Sequence, residues 1–192
     1  MNKTNTKMVN NFKKFKTYFG LIVAAIVIFT SISGAFASEI TPENIELLIN
    51  SERTANGLIP LRIDKSLDQA AKNKSLDMVN RNYFEHYAFD LAPWDFIISA
   101  GYNYLYAGEN LAMDFNTAEG TVNAWMKSPA HRDNILNPDY SDMGIGVVKG
   151  AYKDNNGSHD TYMVTNMFGR KKPVVLQIFD NIVSKIASFN IP

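Results

Sequence analysis

The chain of 192 residues contains no cysteine. This absence excludes a disulfide-stapled scaffold, a zinc site built from thiolates and a cysteine nucleophile. The chain also lacks the motifs H-E-x-x-H and G-x-S-x-G and a glycine-rich phosphate loop, and it has three histidines in all. No local signature therefore points to a metalloprotease, a serine hydrolase or a nucleotide-binding protein.

The chain also lacks net charge, because 19 Lys and Arg offset 19 Asp and Glu, but these charges are unevenly placed. Five lysines and no acid precede Ser38, whereas residues 38–192 carry 14 basic and 19 acidic side chains, a net charge of −5. Nucleic acid binding requires a basic face, so this acidic remainder argues against a nucleic acid partner. Its 155 residues are enough for one domain with a single core.

The first 37 residues predict export from the cytoplasm. A lysine-bearing start leads into an uncharged apolar run at residues 18–29, and small residues follow up to Ala35 and Ala37. That order is typical of a cleaved signal peptide. The alternative is a retained N-terminal membrane anchor, because residues 18–36 are uncharged and about long enough to span a bilayer. In either case we expect the rest of the chain to be extracytoplasmic, secreted or anchored.

Helix signals come first and strand signals come late. Caps, prolines at first helical positions and apolar residues at helical spacing predict helices at 41–57, 64–82, 93–101 and 117–128, with a short turn or helix at 131–137. Residues 102–106 look extended. From Met143 to Val148 the apolar period changes to two, and a turn at 155–157 precedes a returning strand at 161–168. This order predicts an α+β domain with a small antiparallel sheet.

Few side chains are candidates for chemistry. His159 lies among polar residues in the expected hairpin turn, which is typical of a solvated loop histidine. Taken singly, His86 and His131 fit structural hydrogen-bonding roles, and Glu109, between a glycine and an asparagine, has the context of a solvated turn carboxylate. If the fold brought His86, Glu109 and His131 together, they could bind Zn²⁺ or perform acid–base chemistry. Their spacing alone does not show whether they converge.

Several motifs, in order over residues 45–169, resemble the CAP superfamily of cysteine-rich secretory proteins, antigen 5 and plant pathogenesis-related proteins. The resemblance begins with the pattern of Asn50, Arg53 and Gly57 and continues through the segments that contain the candidate residues. These segments are Phe84-x-His86, Ala107-Gly108-Glu109-Asn110-Leu111, Ala124-Trp125-Met126-x-Ser128-Pro129-x-His131-Arg132-x-Asn134, Met143-Gly144-Ile145-Gly146 and Val164-Thr165-Asn166-x-Phe168-Gly169.

The resemblance implies an α–β–α sandwich with a cleft, whose floor carries two histidines and two glutamates that bind zinc in some members. His86, Glu109 and His131 match three of these positions. The fourth falls near Ser128, where bacterial members tend to have serine, and the absence of cysteine also matches the bacterial branch. Two histidines, His86 and His131, with one carboxylate would leave an open metal position or a weaker site without metal.

The resemblance leaves the activity open, since a fold does not determine a function. We favour a non-enzymatic exported module at residues 41–170, which binds a lipid, a cell-wall component or a protein through His86, Glu109 and His131. The alternative is a metal-assisted peptidase or esterase, in which His86 and His131 hold Zn²⁺ and Glu109 acts on a water molecule. A third interpretation is structural: the three side chains fix the cleft floor by hydrogen bonds.

Residues 171–192 lie outside the resemblance and predict an amphipathic helical tail. Pro173 is well placed to begin a helix after the basic run at 170–172. An apolar stripe follows at helical spacing: Val175, Ile178, Phe179, Ile182, Val183 and Ile186. The stripe would either pack on the domain or on a second copy, or lie on the outer face of the membrane, where apolar burial and anionic head groups both favour it.

Overall fold

The computed structural model describes residues 37–189, so the predicted signal peptide or anchor lies outside the described residues except for Ala37. Six helices and four strands occur in the described part. In chain order they are α1 (Pro42–Ala55), β1 (Arg62–Ile63), α2 (Lys65–Arg81), α3 (Pro93–Ser99), β2 (Tyr104–Ala112), α4 (Ala118–Lys127), α5 (Pro129–Ile135), β3 (Asp142–Asp154), β4 (Gly157–Lys171) and α6 (Val174–Phe189). Within residues 37–189, no helix combines the length and apolar character needed to cross a membrane.

The helix bounds follow from their capping residues. At α1, α2 and α4 the preceding side chain, Thr41, Asp64 or Thr117, accepts a hydrogen bond from a backbone N–H of the first turn. Proline begins α1, α3 and α5. Helix α2 ends at Asn82, whose φ of 54° is left-handed. The predicted helices are confirmed, with α5 beginning at Pro129 rather than at residue 131.

The four strands form one mixed sheet in the order β1-β3-β4-β2. Strands β3 and β4 are a long antiparallel hairpin with Asp154 opposite Gly157, while β2 runs antiparallel to β4 and β1 runs parallel to β3. The predicted hairpin is confirmed, and both strands extend beyond the apolar residues that predicted them. Residues 102–106 were expected to be extended, but the strand is longer than that segment: β2 continues through Glu109 to Ala112.

Two helical layers cover the sheet. Helices α1, α4 and α5 enclose one apolar core with Met143 and Ile145 of β3, whereas α2 and α3 cover the opposite face. The intervening Gly144 lies directly under α2, where a Cβ would come within 2.0 Å of the backbone carbon of Leu67. The α–β–α sandwich is therefore confirmed. The described core extends from Ile40 to Phe168, within the compact unit that begins at Ser38.

Candidate functional site

The site lies along β2, the edge strand where both helical layers meet. Successive residues of an edge strand face opposite layers, and its outward carbonyls need donors from elsewhere. Three side chains supply these donors: Tyr140 Oη to Ala107 O at 3.1 Å, Asn134 Nδ2 to Glu109 O at 3.1 Å, and Trp125 Nε1 to Leu111 O at 2.8 Å. The backbone around Glu109 is thus held in place by α4, α5 and the segment that follows α5.

Glu109 is a buried carboxylate that contacts His86. Its side chain is 2% exposed, and its Oε1 lies 2.6 Å from Nδ1 of His86, whose side chain is 46% exposed. Its Oε2 has no hydrogen-bond partner. Burial raises the pKa of Glu109, opposed by the hydrogen bond to His86 and by the charges of Lys74 and His86. The expectation of a solvated turn carboxylate is wrong, because Glu109 lies within β2 and is buried beneath an exposed imidazole.

A buried cation holds the segment that carries His86. Lys74 of α2 is fully buried, and its Nζ donates to the backbone oxygens of Glu85 at 2.8 Å and His86 at 3.0 Å, and to the hydroxyl of Tyr83 at 3.3 Å. Burial lowers the pKa of Lys74, while the charge of Glu109 acts in the opposite direction. Lys74 therefore both positions His86 and partly balances the charge of Glu109.

His131 reaches the same site from the other helical layer. Asn110, which follows Glu109 on β2, donates from Nδ2 to the carbonyl of His131 at 2.9 Å. Nδ1 of His131 lies 2.8 Å from Oγ of Ser128. Burial lowers the pKa of His131, and so does the charge of His86, which is near enough to act on it. The structure thus places His86, Glu109 and His131 at one edge of the sheet.

His159 lies apart from this group. It belongs to β4, opposite Tyr152, rather than to the hairpin turn in which the sequence places it. Its Nε2 is 2.9 Å from Oδ1 of Asp114, and both side chains are largely open to solvent. His159 is therefore a surface histidine with its own acidic partner.

Sequence reasoning does not assign roles to Lys74, Asn110 and Asn134. Lys74 carries a signal that could have identified it, because it falls on the apolar stripe of α2 between Ala71 and Met78. A lysine at a core position of a helix must find buried acceptors. The two asparagines are visible in the motifs, but the donors and acceptors that they serve depend on tertiary contacts: Nδ2 of Asn134 bonds Oδ1 of Asn110 at 2.9 Å.

The side chains of this site do not fit a resident zinc ion with three protein ligands. Nδ1 of His86 is taken by Glu109, and Nδ1 of His131 by Ser128, so Glu109 orients an imidazole instead of standing as a third ligand. Among residues 37–189, no group of three or more His, Cys, Asp or Glu side chains is placed to hold a metal ion. A catalytic zinc takes three protein ligands and one open position.

Four surface concavities of about 380 to 470 Å³ lie away from these residues. The largest of the four is lined by Arg53, Ile59, Arg62, Tyr140 and Arg170, among others. None of the four is lined by His86, Glu109 or His131. The imidazole of His86 is instead reached directly from solvent.

Residues 47–167 match the family described as the cysteine-rich secretory protein family, CAP. The chain belongs to this family. The matched range contains His86, Glu109 and His131, and it spans both helical layers and the sheet. This member of the family contains no cysteine.

Relatives support the same fold and an extracellular setting. The chain is similar to YkwD of Bacillus subtilis, at 46% identity over 103 residues, which cover 53% of this chain and 40% of YkwD. It is similar to the membrane protein YlbC of the same organism, at 32% identity over 109 residues, covering 56% and 32%. It also resembles the structure of an extracellular SCP-domain protein from Bacillus anthracis, with a TM-score of 0.59 and 28% identity over 67% of this chain and 40% of that one.

The chain spans less than half the length of the curated relatives it matches. The similarity is therefore a similarity of the CAP domain. The extracellular relative agrees with an extracytoplasmic location for this domain.

Proposed function

We propose that this protein is an exported binding module of the cell envelope, which holds a polar cell-wall component at His86, Glu109 and His131 without chemical turnover. The observation that carries the proposal is the pair of His86 and Glu109. An imidazole exposed to solvent is oriented by a carboxylate buried behind it. Such an arrangement presents a fixed polar group to a ligand.

The chemistry of His86 favours a ligand rich in hydroxyl and amide groups. The tautomer of His86 that donates its Nδ1 hydrogen to the carboxylate of Glu109 has Nε2 as its free acceptor. Sugar hydroxyls and peptide N–H groups, both abundant in peptidoglycan, are the matching donors. Residues 38–169 carry 10 basic and 18 acidic side chains, a net charge of −8, which disfavours a polyanionic ligand.

The arrangement of side chains favours binding over hydrolysis. Nucleophilic catalysis needs a nucleophile, a base and an orienting acid in series on one imidazole. Here Glu109 contacts His86, whereas the hydroxyl of Ser128 contacts His131, so acid and hydroxyl serve different histidines. Two separate pairs do not form a proton relay to a nucleophile.

Co-sedimentation with purified peptidoglycan sacculi tests the proposal. Residues 38–192 should pellet with the sacculi, and His86→Ala should weaken this binding about tenfold, as expected for the loss of one good polar contact. His159→Ala is the matched control, because it removes another exposed histidine with an acidic partner and should leave binding unchanged.

Three outcomes would overturn the proposal. Equal binding by the wild type and His86→Ala would show that His86 takes no part in recognising the ligand. Release of soluble fragments from the sacculi, abolished by Glu109→Gln, would establish the hydrolase alternative in its place. Binding to phospholipid vesicles or to a protein partner through His86, without binding to sacculi, would assign the site a different class of ligand.

A further inference from the structure

Helix α6 exposes its apolar face to solvent, whereas an ordinary surface helix buries that face. Its polar residues Gln177, Asp180 and Asn181 line a concavity of about 380 Å³ together with Asn103 and Tyr104 of the domain. Gln177 is half-buried and donates from Nε2 to the carbonyl of Lys172 at 2.6 Å. Asp180 pairs with Lys172. The polar residues of α6 thus lie on the side of this concavity, with Gln177 the one that is half-buried, and the apolar residues lie on the other side of the helix.

That opposite face is apolar and exposed along the helix. Its exposed fractions range from 42% to 76%, and its members are Val174, Val175, Leu176, Ile178, Phe179, Ile182, Val183 and Ile186. The expectation that the stripe packs on its own domain is therefore wrong. An apolar helix face of this extent is unusual on a soluble surface and marks an interaction site.

The tail is also the basic part of an acidic molecule. Residues 170–192 carry four basic side chains and one acidic one, a net charge of +3, against −8 for residues 38–169. Lys171 pairs with Asp64 at 2.7 Å, but its side chain is 58% exposed, and such surface pairs are weak. The guanidinium of Arg170 lies 6.0 Å from the ring of Tyr106, which places an exposed aromatic ring beside the basic run.

We propose that α6 and the basic run at 170–172 form a membrane-surface element, which lies on anionic phospholipid with its apolar face in the head-group region. An apolar helix face that follows an exposed cation, Lys171, and a partly exposed one, Arg170, beside an aromatic ring is the arrangement that favours binding to a bilayer surface. This proposal is independent of the ligand proposed for His86.

The charges favour lipid over a second copy of the chain. Pairing α6 with α6 of another molecule would bring two cationic tails together, which repel. The domain of a second copy would attract the cations, yet its exposed large apolar residues in the described part are spread over several elements, among them Leu47, Ile59, Leu76 and Phe89. An anionic bilayer buries the apolar face and also attracts the cations.

Vesicle co-sedimentation of residues 38–192 tests the proposal, with vesicles of equal parts phosphatidylglycerol and phosphatidylcholine and a second set of phosphatidylcholine alone. Phe179→Asp with Ile182→Asp should reduce partitioning at least about tenfold. Asn181→Asp with Ser184→Asp is the matched control, since it adds the same charge to the polar face, and it should bind better than the stripe variant by a similar factor. Replacing Lys171, the most exposed of the three cations, by Gln should weaken binding to the anionic vesicles about fivefold.

Three results would overturn the proposal: no partitioning of the wild type into anionic vesicles, equal partitioning of the stripe variant and its control, or a dimer in the absence of lipid that the stripe variant abolishes. The last would assign the stripe to an interface between copies. Because the stripe side chains are exposed, both variants should retain the melting temperature of the wild type, which separates lost binding from lost folding.

Discussion

At the scale of single residues, the site is governed by two buried ionisable groups of opposite charge. Glu109 is nearly inaccessible, and Lys74 is fully buried on α2. Each lowers the cost of burying the other, because the charge of Lys74 opposes the rise in the pKa of Glu109 and the charge of Glu109 opposes the fall in the pKa of Lys74. His86 lies between protein and solvent, contacted by both residues.

We predict that Lys74→Met destabilises the domain by about 3–5 kcal/mol, because it removes the donor for the carbonyls of Glu85 and His86 and the buried cation that acts on Glu109. Urea denaturation measures this change. Lys72→Met, on the exposed face of the same helix, is the control and should change stability by less than about 0.5 kcal/mol.

The double variant Lys74→Met/Glu109→Gln gives the coupling between the two charges. Because both charges are then absent, its destabilisation should be smaller than the sum of the single effects by between about 0.5 and 3 kcal/mol. Strict additivity would show that Lys74 acts only through its hydrogen bonds to the backbone.

The resemblance in the sequence is enough to select His86, Glu109 and His131, but the pairing among them is not readable from it. Glu109 is flanked by residues typical of a turn, and its burial results from edge-strand pairing with β4 and from side chains such as Asn134. The role of Lys74 depends on the path of the chain after α2, which brings the carbonyls of Glu85 and His86 to its Nζ. Local patterns do not contain either piece of information.

At the scale of elements, helix ends were predictable and strand ends were not. A cap such as Thr41 or Asp64 acts within three residues of itself, so its signal is local. The two-residue strand β1 exists because it pairs in parallel with β3, eighty residues along the chain, and no local pattern reports such a partner. The outer parts of β3 and β4 are exposed and therefore lack the apolar alternation that predicts strands.

Helix α2 packs closely on β3. A Cβ at Gly144 would lie 2.0 Å from the backbone carbon of Leu67, and one at Gly146 would lie 2.3 Å from that of Ala71. Backbone atoms of a packed helix cannot move aside locally. The small residues between Met143 and Val147 thus set the distance between the helical layer and the sheet.

We predict that Gly144→Ala destabilises the domain by about 3 kcal/mol, because α2 must shift to admit the methyl group. Gly150→Ala is the comparison on the same strand: its Cβ would lie 2.3 Å from Cγ1 of Val79, a side-chain atom and not a backbone atom, so a smaller loss, of about 2 kcal/mol, is expected. Chemical denaturation of both variants decides the matter, and equal losses would contradict the close packing of α2 on β3.

At the scale of the whole molecule, an acidic CAP domain is followed by a basic run at residues 170–172 and by the amphipathic helix α6, whose apolar face lies outside the core. The described core ends at Phe168, and β4 ends at Lys171, so the boundary expected between residues 170 and 171 falls inside a strand. The sheet ends at Lys171, and α6 begins at Val174. The core residues therefore lie in the chain before α6, and the exposed apolar stripe lies in α6.

We predict that residues 38–173 melt within about 2 °C of residues 38–192, because the apolar face of α6 is largely exposed. A chain ending at Gly169 is the control. It loses the pairing of Arg170 and Lys171 with β2 and the ion pair of Lys171 with Asp64, about 2 kcal/mol in all, and its melting temperature should fall by about 4–8 °C. Calorimetry on the three chains measures both differences. A fall of several degrees on removing α6 alone would mean that the helix is part of the folded core, and its apolar face would then be unavailable to a membrane.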